Sequence, residues 1–302
     1  MTELAAAVLG NVNLDVICKT VADVPRHASI VYQQGEILPG GNGSNVALGL
    51  AQRGVDTALV ARVGEDAAAD LLVEGWSQAG IDLTWVEKVP GAKTGTSVVL
   101  VDPEAQPRFI YNPGANAQVF PGILEAKKLH QRGIRALHVA GYFVLPGLLD
   151  RGFPSYLADL SRAGIILSLD VVSTPAMEAP DFLWPCLPYL DYFQCNTYEA
   201  EILTGVPEIP RALDEFLERG ARTVLVKAGE DGCWLANGEG KRLIPAPPVE
   251  EVQDTTGAGD AFAAGFLAAL LAGEGPESAC RAGNRAGAEA TTHLGAVKLR
   301  QG

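Results

Sequence analysis

The stretch Asp254-Thr255-Thr256-Gly257-Ala258-Gly259-Asp260, with the run Ala261–Leu271 behind it, constrains the fold more than any other part of the chain. The run is almost entirely apolar or small, the composition of a helix packed inside a domain. Gly257, Ala258 and Gly259 have almost no side chain, so backbone N–H groups at the helix start can approach a ligand closely. Those first-turn N–H groups have no partner within the helix, and the helix dipole favours negative charge there. The turn is therefore a candidate anion hole. Asp260 sits just inside it, and the helix terminus is expected to keep its carboxylate ionised. An anion held by amides beside a fixed proton acceptor suits phosphoryl transfer to an alcohol, where a protein mostly positions and neutralises. The plainer alternative is a first-turn helix acid beside a Gly-rich turn.

Elsewhere the sequence alternates strand and helix. Ala5–Val12 reads as a buried strand and Asp56–Val63 as another. Gly64-Glu65-Asp66 opens an amphipathic helix, Ala67–Ala79, which Gly80 ends. Ala136–Ala140, Ile165–Asp170, Tyr192–Asn196 and Thr223–Val226 continue the strands, and Glu277–Ala290 is the last helix. This order predicts a doubly wound α/β domain with a mostly parallel central sheet flanked by helices. Three strand-like segments interrupt it: Val16–Ile37, Gly95–Asp102 and Arg108–Asn112, the last two joined as a hairpin. They are expected to form a small sheet over the substrate, a lid of residues 14–38 and 94–113. No repeat or long linker divides residues 1–302, so one domain is expected.

Several polar residues stand at strand ends. Asn13 and Asp15 alternate and so share a face in extended chain, able either to bind paired hydroxyls or to make an ordinary Asx turn. Gly40-Gly41 lets backbone approach a ligand, with Asn45 one turn into the helix Val46–Arg53 that follows. Asn196 and Glu199 have capping-box spacing. A single carboxylate would also suffice for Mg²⁺, which keeps several waters. Lys227 precedes a tight turn with Gly229 and Gly232 and reads either as a nucleotide contact or as a surface cation.

These motifs together resemble the PfkB (ribokinase-like) carbohydrate and nucleoside kinases. Gly40-Gly41-Asn42-Gly43-Ser44-Asn45 matches the family's G-G-x-G-x-N, Asn196 to Glu199 its N-x-x-E, and Asp254 to Asp260 its D-T-x-G-A-G-D, in the family's order. The resemblance implies a ribokinase-like fold and transfer of the γ-phosphate of ATP to a hydroxymethyl group of a sugar or sugar derivative. A nucleoside kinase is the alternative, and a catalytically inactive sugar- or nucleotide-binding protein the rival of another class. It implies Asp260 as base and Gly257, Ala258 and Gly259 as anion hole. Substrate contacts fall on Asn13, Asp15, Gly40, Gly41 and Asn45. ATP contacts fall on Asn196, Lys227, Gly229, Gly232, Gly259 and Asn284. Glu199 is implied for Mg²⁺, mostly through water, and Asp254 for a monovalent cation, K⁺. Two departures stand out. Ala140-Gly141-Tyr142-Phe143 lacks the acid that ribokinases often carry there, and Asn42 replaces a frequent Lys.

A net charge of −13 without any dense basic run argues against nucleic acid and membrane as partners. The cysteines, Cys18, Cys186, Cys195, Cys233 and Cys280, include no C-x-x-C pair, which predicts reduced thiols in the cytoplasm. Met1-Thr2-Glu3-Leu4-Ala5 is acidic and lacks signal-peptide character. No apolar stretch reaches ~18 uncharged residues, so no membrane span is expected. The lid is also expected to be a homodimer surface, with Val31, Val99 and Phe109 on its outer, otherwise wet face.

Overall fold

The computed structural model describes residues 5–120 and 124–297. Met1–Leu4, read above for a leader, lie outside the described residues. The strands are β1 (Ala6–Gly10), β2 (Asn13–Lys19), β3 (Gln34–Gly40), β4 (Thr57–Val63), β5 (Asp82–Lys88), β6 (Gly95–Val101), β7 (Pro107–Asn112), β8 (Ala136–Ala140), β9 (Ile166–Asp170), β10 (Tyr192–Asn196), β11 (Thr223–Lys227), β12 (Cys233–Asn237) and β13 (Gly240–Ile244). The helices are α1 (Asn42–Gln52), α2 (Ala67–Gln78), α3 (Ala126–Gln131), α4 (Phe153–Arg162), α5 (Thr197–Thr204), α6 (Ile209–Glu218), α7 (Ala258–Leu271) and α8 (Pro276–Ala290).

Nine strands form one sheet in the order β13-β12-β11-β10-β9-β8-β1-β4-β5. Every pairing from β11 to β5 is parallel, and only β12 and β13 run antiparallel at one edge. That edge pair is a departure from the strand–helix reading, which carried no strand between Lys227 and Asp254. The sheet separates two apolar layers. Ala7 and Leu9 of β1 point into one, with Leu157 of α4, Ala200 of α5 and Phe216 of α6. Ala6 and Val8 point into the other, with Leu48 of α1, Trp76 of α2, Phe266 of α7 and Cys280 of α8. Strands buried on both faces explain the near-continuous apolar runs. Trp76 is fully buried, yet its Nε1 donates to Ser44 Oγ at 2.8 Å, so burial leaves no indole N–H unpaired.

Chain order reverses between β1 and β8, since β1 leads to β4 on one side while β8 and later strands build the other. In open α/β sheets ligands bind beside such a reversal, at the carboxyl ends of the strands. The second sheet, in the order β3-β2-β6-β7, stands over that end. Asn13, Asp15 and Ile17 pair with Gly95, Ser97 and Val99, and Val99 with Phe109. Asp15, Ser97, Phe109 and Tyr111 all line the cleft beneath, so this parity defines the inner face.

The expected lid therefore forms, but its outer face is corrected. Val99 is fully buried against Ile17 and Val101, and Phe109 faces the cleft. Val31 lies in the loop between β2 and β3, not in a strand. The outward row is instead Ile37–Val16–Val98–Ile110, one residue from each strand. The faces swap because side chains alternate along a strand, so a one-residue difference in pairing reverses them.

Candidate active site

A cleft of about 1160 Å³ runs between the lid and the carboxyl ends of the central strands. Asn11 follows β1 and Gly141 follows β8, while Asp170, Asn196 and Lys227 are the last residues of β9, β10 and β11. A parallel sheet thus delivers polar residues from distant parts of the chain to one rim. All the expected site residues except Gly40 and Asp254 line this cleft.

The lid end carries Asn11, Asn13, Asp15, Asn42, Asn45 and Ser97, with Phe109, Tyr111 and Val144 as its apolar wall. Gly40 acts indirectly: any Cβ there would run into the Asp15 carboxylate. Gly41 has φ +83°, and a Cβ on it would stand 2.6 Å from the Asn11 carbonyl oxygen. Only glycine turns the chain into α1 at this spot without strain. Asn116, from the Gly114-Ala115-Asn116 segment, pins the pieces together. Its Nδ2 donates to the Val12 carbonyl at 2.9 Å and to Asn13 Oδ1 at 3.1 Å, and its Oδ1 accepts from Val12 N–H at 2.9 Å. Asp15 Oδ1 and Asn45 Oδ1 are buried acceptors without a hydrogen-bond partner among the described residues. Buried acceptors call for donors, and ligand hydroxyls would supply them.

Asp260 stands between the two ends. Asn42 Nδ2 donates to its Oδ1 at 2.8 Å and Asn45 Nδ2 to its Oδ2 at 2.7 Å. The helix terminus was expected to keep Asp260 ionised, and the surroundings work partly against that. Burial first, and Asp170 second, push it up to about 6, against the two amides and Lys227. It remains mostly ionised at neutral pH. Burial, with Asp260 adding, likewise pushes Asp15 up to about 7.

Gly257 caps α7 with φ +73°, and a Cβ on it would run into Ala296. The turn offers fewer free amides than its sequence suggests, because the Ala258 N–H already donates to the Thr255 carbonyl at 3.2 Å. Gly257, Gly259 and Asp260 carry the remaining amides of the turn. A Cβ on Gly259 would lie 3.1 Å from Lys227 Nζ, which places the ammonium directly over this turn. Lys227 is thus no surface cation. Desolvation works against its charge, but Asp170, Glu199 and Asp260 outweigh it and raise its pKa above the ordinary lysine value.

Asn196 and Glu199 do form a capping box, with both hydrogen bonds at 2.8 Å. The same two residues line the cleft, so the capping role does not take them away from it. Burial pushes Glu199 up to about 7, while Lys227 and the Asn196 N–H oppose the rise. Gly229 and Gly232 line the far end. Asn284 Nδ2 donates to the Ile244 and Pro245 carbonyls at 2.8 and 3.2 Å, which holds that wall to α8. Asp254 is fully buried: Oδ1 accepts from Thr256 N–H and Oγ1 at 2.8 and 2.6 Å, and Oδ2 from Gly295 N–H at 2.9 Å. It latches the loop before α7 to the segment after α8.

Asn11 and Asp170 escaped the sequence reading, which took Asn42 only as a departure from a frequent Lys. Asp170 Oδ1 accepts from Gly141 N–H at 2.6 Å, and His138 Nε2 lies 3.3 Å from Oδ2. Burial opposes its charge, but His138 and Lys227 hold its pKa below the usual carboxylate value. A carboxylate at the carboxyl end of a predicted parallel strand was the available signal. Among the described residues no three His, Cys, Asp or Glu side chains converge to hold a metal by themselves, and no helix is long and apolar enough to cross a membrane.

Known proteins are similar to this chain in sequence and fold. Ribokinase of Arabidopsis thaliana is 31% identical over 286 residues, covering 91% of this chain and 72% of that protein. Ribokinase of Haemophilus influenzae is 27% identical over 294 residues, covering 96% and 92%. The solved structure of the Arabidopsis enzyme complexed with ribose and ATP superposes with a TM-score of 0.83 at 27% identity, covering 98% of this chain and 95% of that one. Residues 4–300 match the family described as pfkB family carbohydrate kinase. With that match over nearly the whole chain, and its fold and cleft in agreement, the protein belongs to the pfkB family of carbohydrate kinases.

Proposed function

We propose that this kinase moves the γ-phosphate of ATP onto a hydroxymethyl group of a sugar or sugar derivative. The observation that carries this is the convergence at Asp260. It lies between a lid pocket of unpaired hydroxyl acceptors and a turn of backbone amides overlain by Lys227. Asp15, Asn13 and Asn45 hold the acceptor hydroxyls, and Asp260 takes the proton of the attacking one. Lys227 and the α7 amides hold the transferring phosphate, while Asn196, Gly229, Gly232 and Asn284 border the nucleotide.

Glu199 lines the cleft beside Lys227, and a single carboxylate suffices for a hard divalent cation that keeps several of its waters. Glu199 is the residue for Mg²⁺, which would neutralise phosphate charge when bound. A K⁺ ion at the Asp254 loop would have to share that carboxylate with its three present donors. The five cysteines, all free and buried, suit the reducing cytoplasm. A coupled ADP-release assay over a panel of sugars, sugar acids and nucleosides tests the reading; no acceptor-dependent ADP from any of them would sink it.

Asp15→Ala should raise the KM of the acceptor while ATP affinity by calorimetry stays near wild type. A hydrogen bond to a charged group is worth about 1.5–3 kcal/mol, or roughly 10- to 100-fold. The reverse pattern would mean that the two ends of the cleft are exchanged.

The outer face of the lid is the proposed homodimer surface. Ile37 and Ile110 are 62% and 63% exposed at the ends of the row through Val16 and Val98. A second copy across a two-fold axis would bury this self-complementary stripe and brace the lid. Light scattering at micromolar concentration should show a dimer, and Ile110→Asp a monomer with a raised acceptor KM. A wild-type monomer there removes the proposal.

A further inference from the structure

Asn42 is the first residue of α1, immediately after Gly41, and Asn45 is one turn further on. Residues three apart on a helix lie side by side. Here both amides reach the same carboxylate, one on each oxygen, at 2.8 and 2.7 Å. We propose that Asn42 is a positioning residue for the proton acceptor: with Asn45 it clamps the Asp260 carboxylate and sets the plane in which it meets the incoming hydroxyl. The inference rests on the reading of Asp260 given above.

The two amides are not equivalent. Asn45 keeps a buried, unpaired Oδ1 for the ligand, so it binds acceptor and base at once. Asn42 is fixed from behind instead. Its backbone N–H donates to Asn11 Oδ1 at 3.2 Å. Its side-chain oxygen lies against Gly141, where a Cβ would come within 2.8 Å of Asn42 Oδ1 and 3.0 Å of Asn11 Oδ1. Gly141 also donates to Asp170. The turn after β8 thus supports both the amide that holds the base and the carboxylate charge next to it.

Electrostatics gives the clamp a measurable consequence. The charged groups that act on Asp260 are Asp15 on β2, Asp170 at the end of β9 and Lys227 at the end of β11. Burial and Asp170 favour its protonated form, while the two amides and Lys227 favour the ionised one. A base must be ionised to accept a proton. Removing one amide donor raises its pKa, so the acidic limb of the kcat–pH profile moves to higher pH. A cationic donor at the same place lowers the pKa and moves the limb the other way.

Asn42→Ala should shift the acidic limb upward by about one pH unit, the scale of one hydrogen bond to a charged group. Its plateau kcat should fall roughly 10- to 100-fold through misalignment, with the KM for ATP unchanged. Asn42→Lys should shift the limb downward. NMR titration of carbon-13-labelled aspartate carboxyls, with the Asp260 signal assigned from Asp260→Asn, should show the same opposite displacements in the free protein. A loss of folding in Asn42→Ala would leave the downward shift in Asn42→Lys to decide. Limbs that stay put, or limbs that move while the Asp260 titration does not, overturn the proposal. If the unmodified protein turns over no acceptor, the kinase reading falls, and the NMR titration still decides the clamp.

Discussion

Asp260→Asn is expected to cut kcat by roughly 10²–10⁴-fold, the usual cost of removing a positioned proton acceptor. ATP binding by calorimetry should remain near wild type. The reason is local. The new side chain has the same size, but it cannot accept the hydroxyl proton, and its amide nitrogen would face an Asn42 or Asn45 donor where a carboxylate oxygen now accepts. Some of the loss will therefore come from a rotated α1 turn as well as from the missing base. Thermal melts and ATP titration separate the two, because a disturbed α1 would lower the midpoint in the absence of substrate. Wild-type turnover in a folded Asp260→Asn protein would take Asp260 out of the chemistry.

Lys227→Met is expected to be the second severe change. The ammonium faces Asp170, Glu199 and Asp260 and lies over the first turn of α7. Without it the cleft loses the one lysine or arginine that lines it among the described residues, and kcat/KM for ATP should fall by about 10²–10³-fold. Stability should change with a definite sign. Glu199 and Asp260 have folded pKa values of about 7 and about 6, above their ordinary 4.5 and 3.8. Between roughly pH 4 and 7 the native state therefore binds more protons than the unfolded chain, and these two groups lose stability as pH rises. Lys227, protonated throughout that range, limits the loss by favouring both ionised forms. Its removal should push both carboxyls higher, so that the melting midpoint lags wild type slightly at pH 5 and markedly at pH 8. An equal lag at both pH values would mean that the ammonium does not share charge with these carboxylates.

Much of the fold was written in local chemistry. Ala6–Gly10 is apolar on both faces, as a strand between two helical layers must be. Gly257 and Gly41 sit where positive φ is required, so glycine marks both loops that meet at Asp260. Asn13 and Asp15 share a lid face because extended chain repeats every two residues. The capping box at Asn196 and Glu199 is likewise a short-range pairing between residues three positions apart. For such features sequence alone was sufficient, since a few bonds of backbone geometry connect cause and result.

Tertiary structure decided the rest. Asn42 and Asp260 are 218 residues apart, and their contact exists only because α1 and α7 pack on the same face of the sheet. Asp170 is an unremarkable strand end in sequence and becomes part of the site through its place beside Lys227 and the Gly141 turn. Phe109 was expected outside and lies inside, because pairing of β6 with β7, not the run of residues in β7, selects which alternate side chains look inward. The raised pKa of Asp260 could not be read from its position at a helix start, because burial and the neighbouring Asp170 carboxylate, which push it up, arise only when distant strands bring their polar ends to one rim.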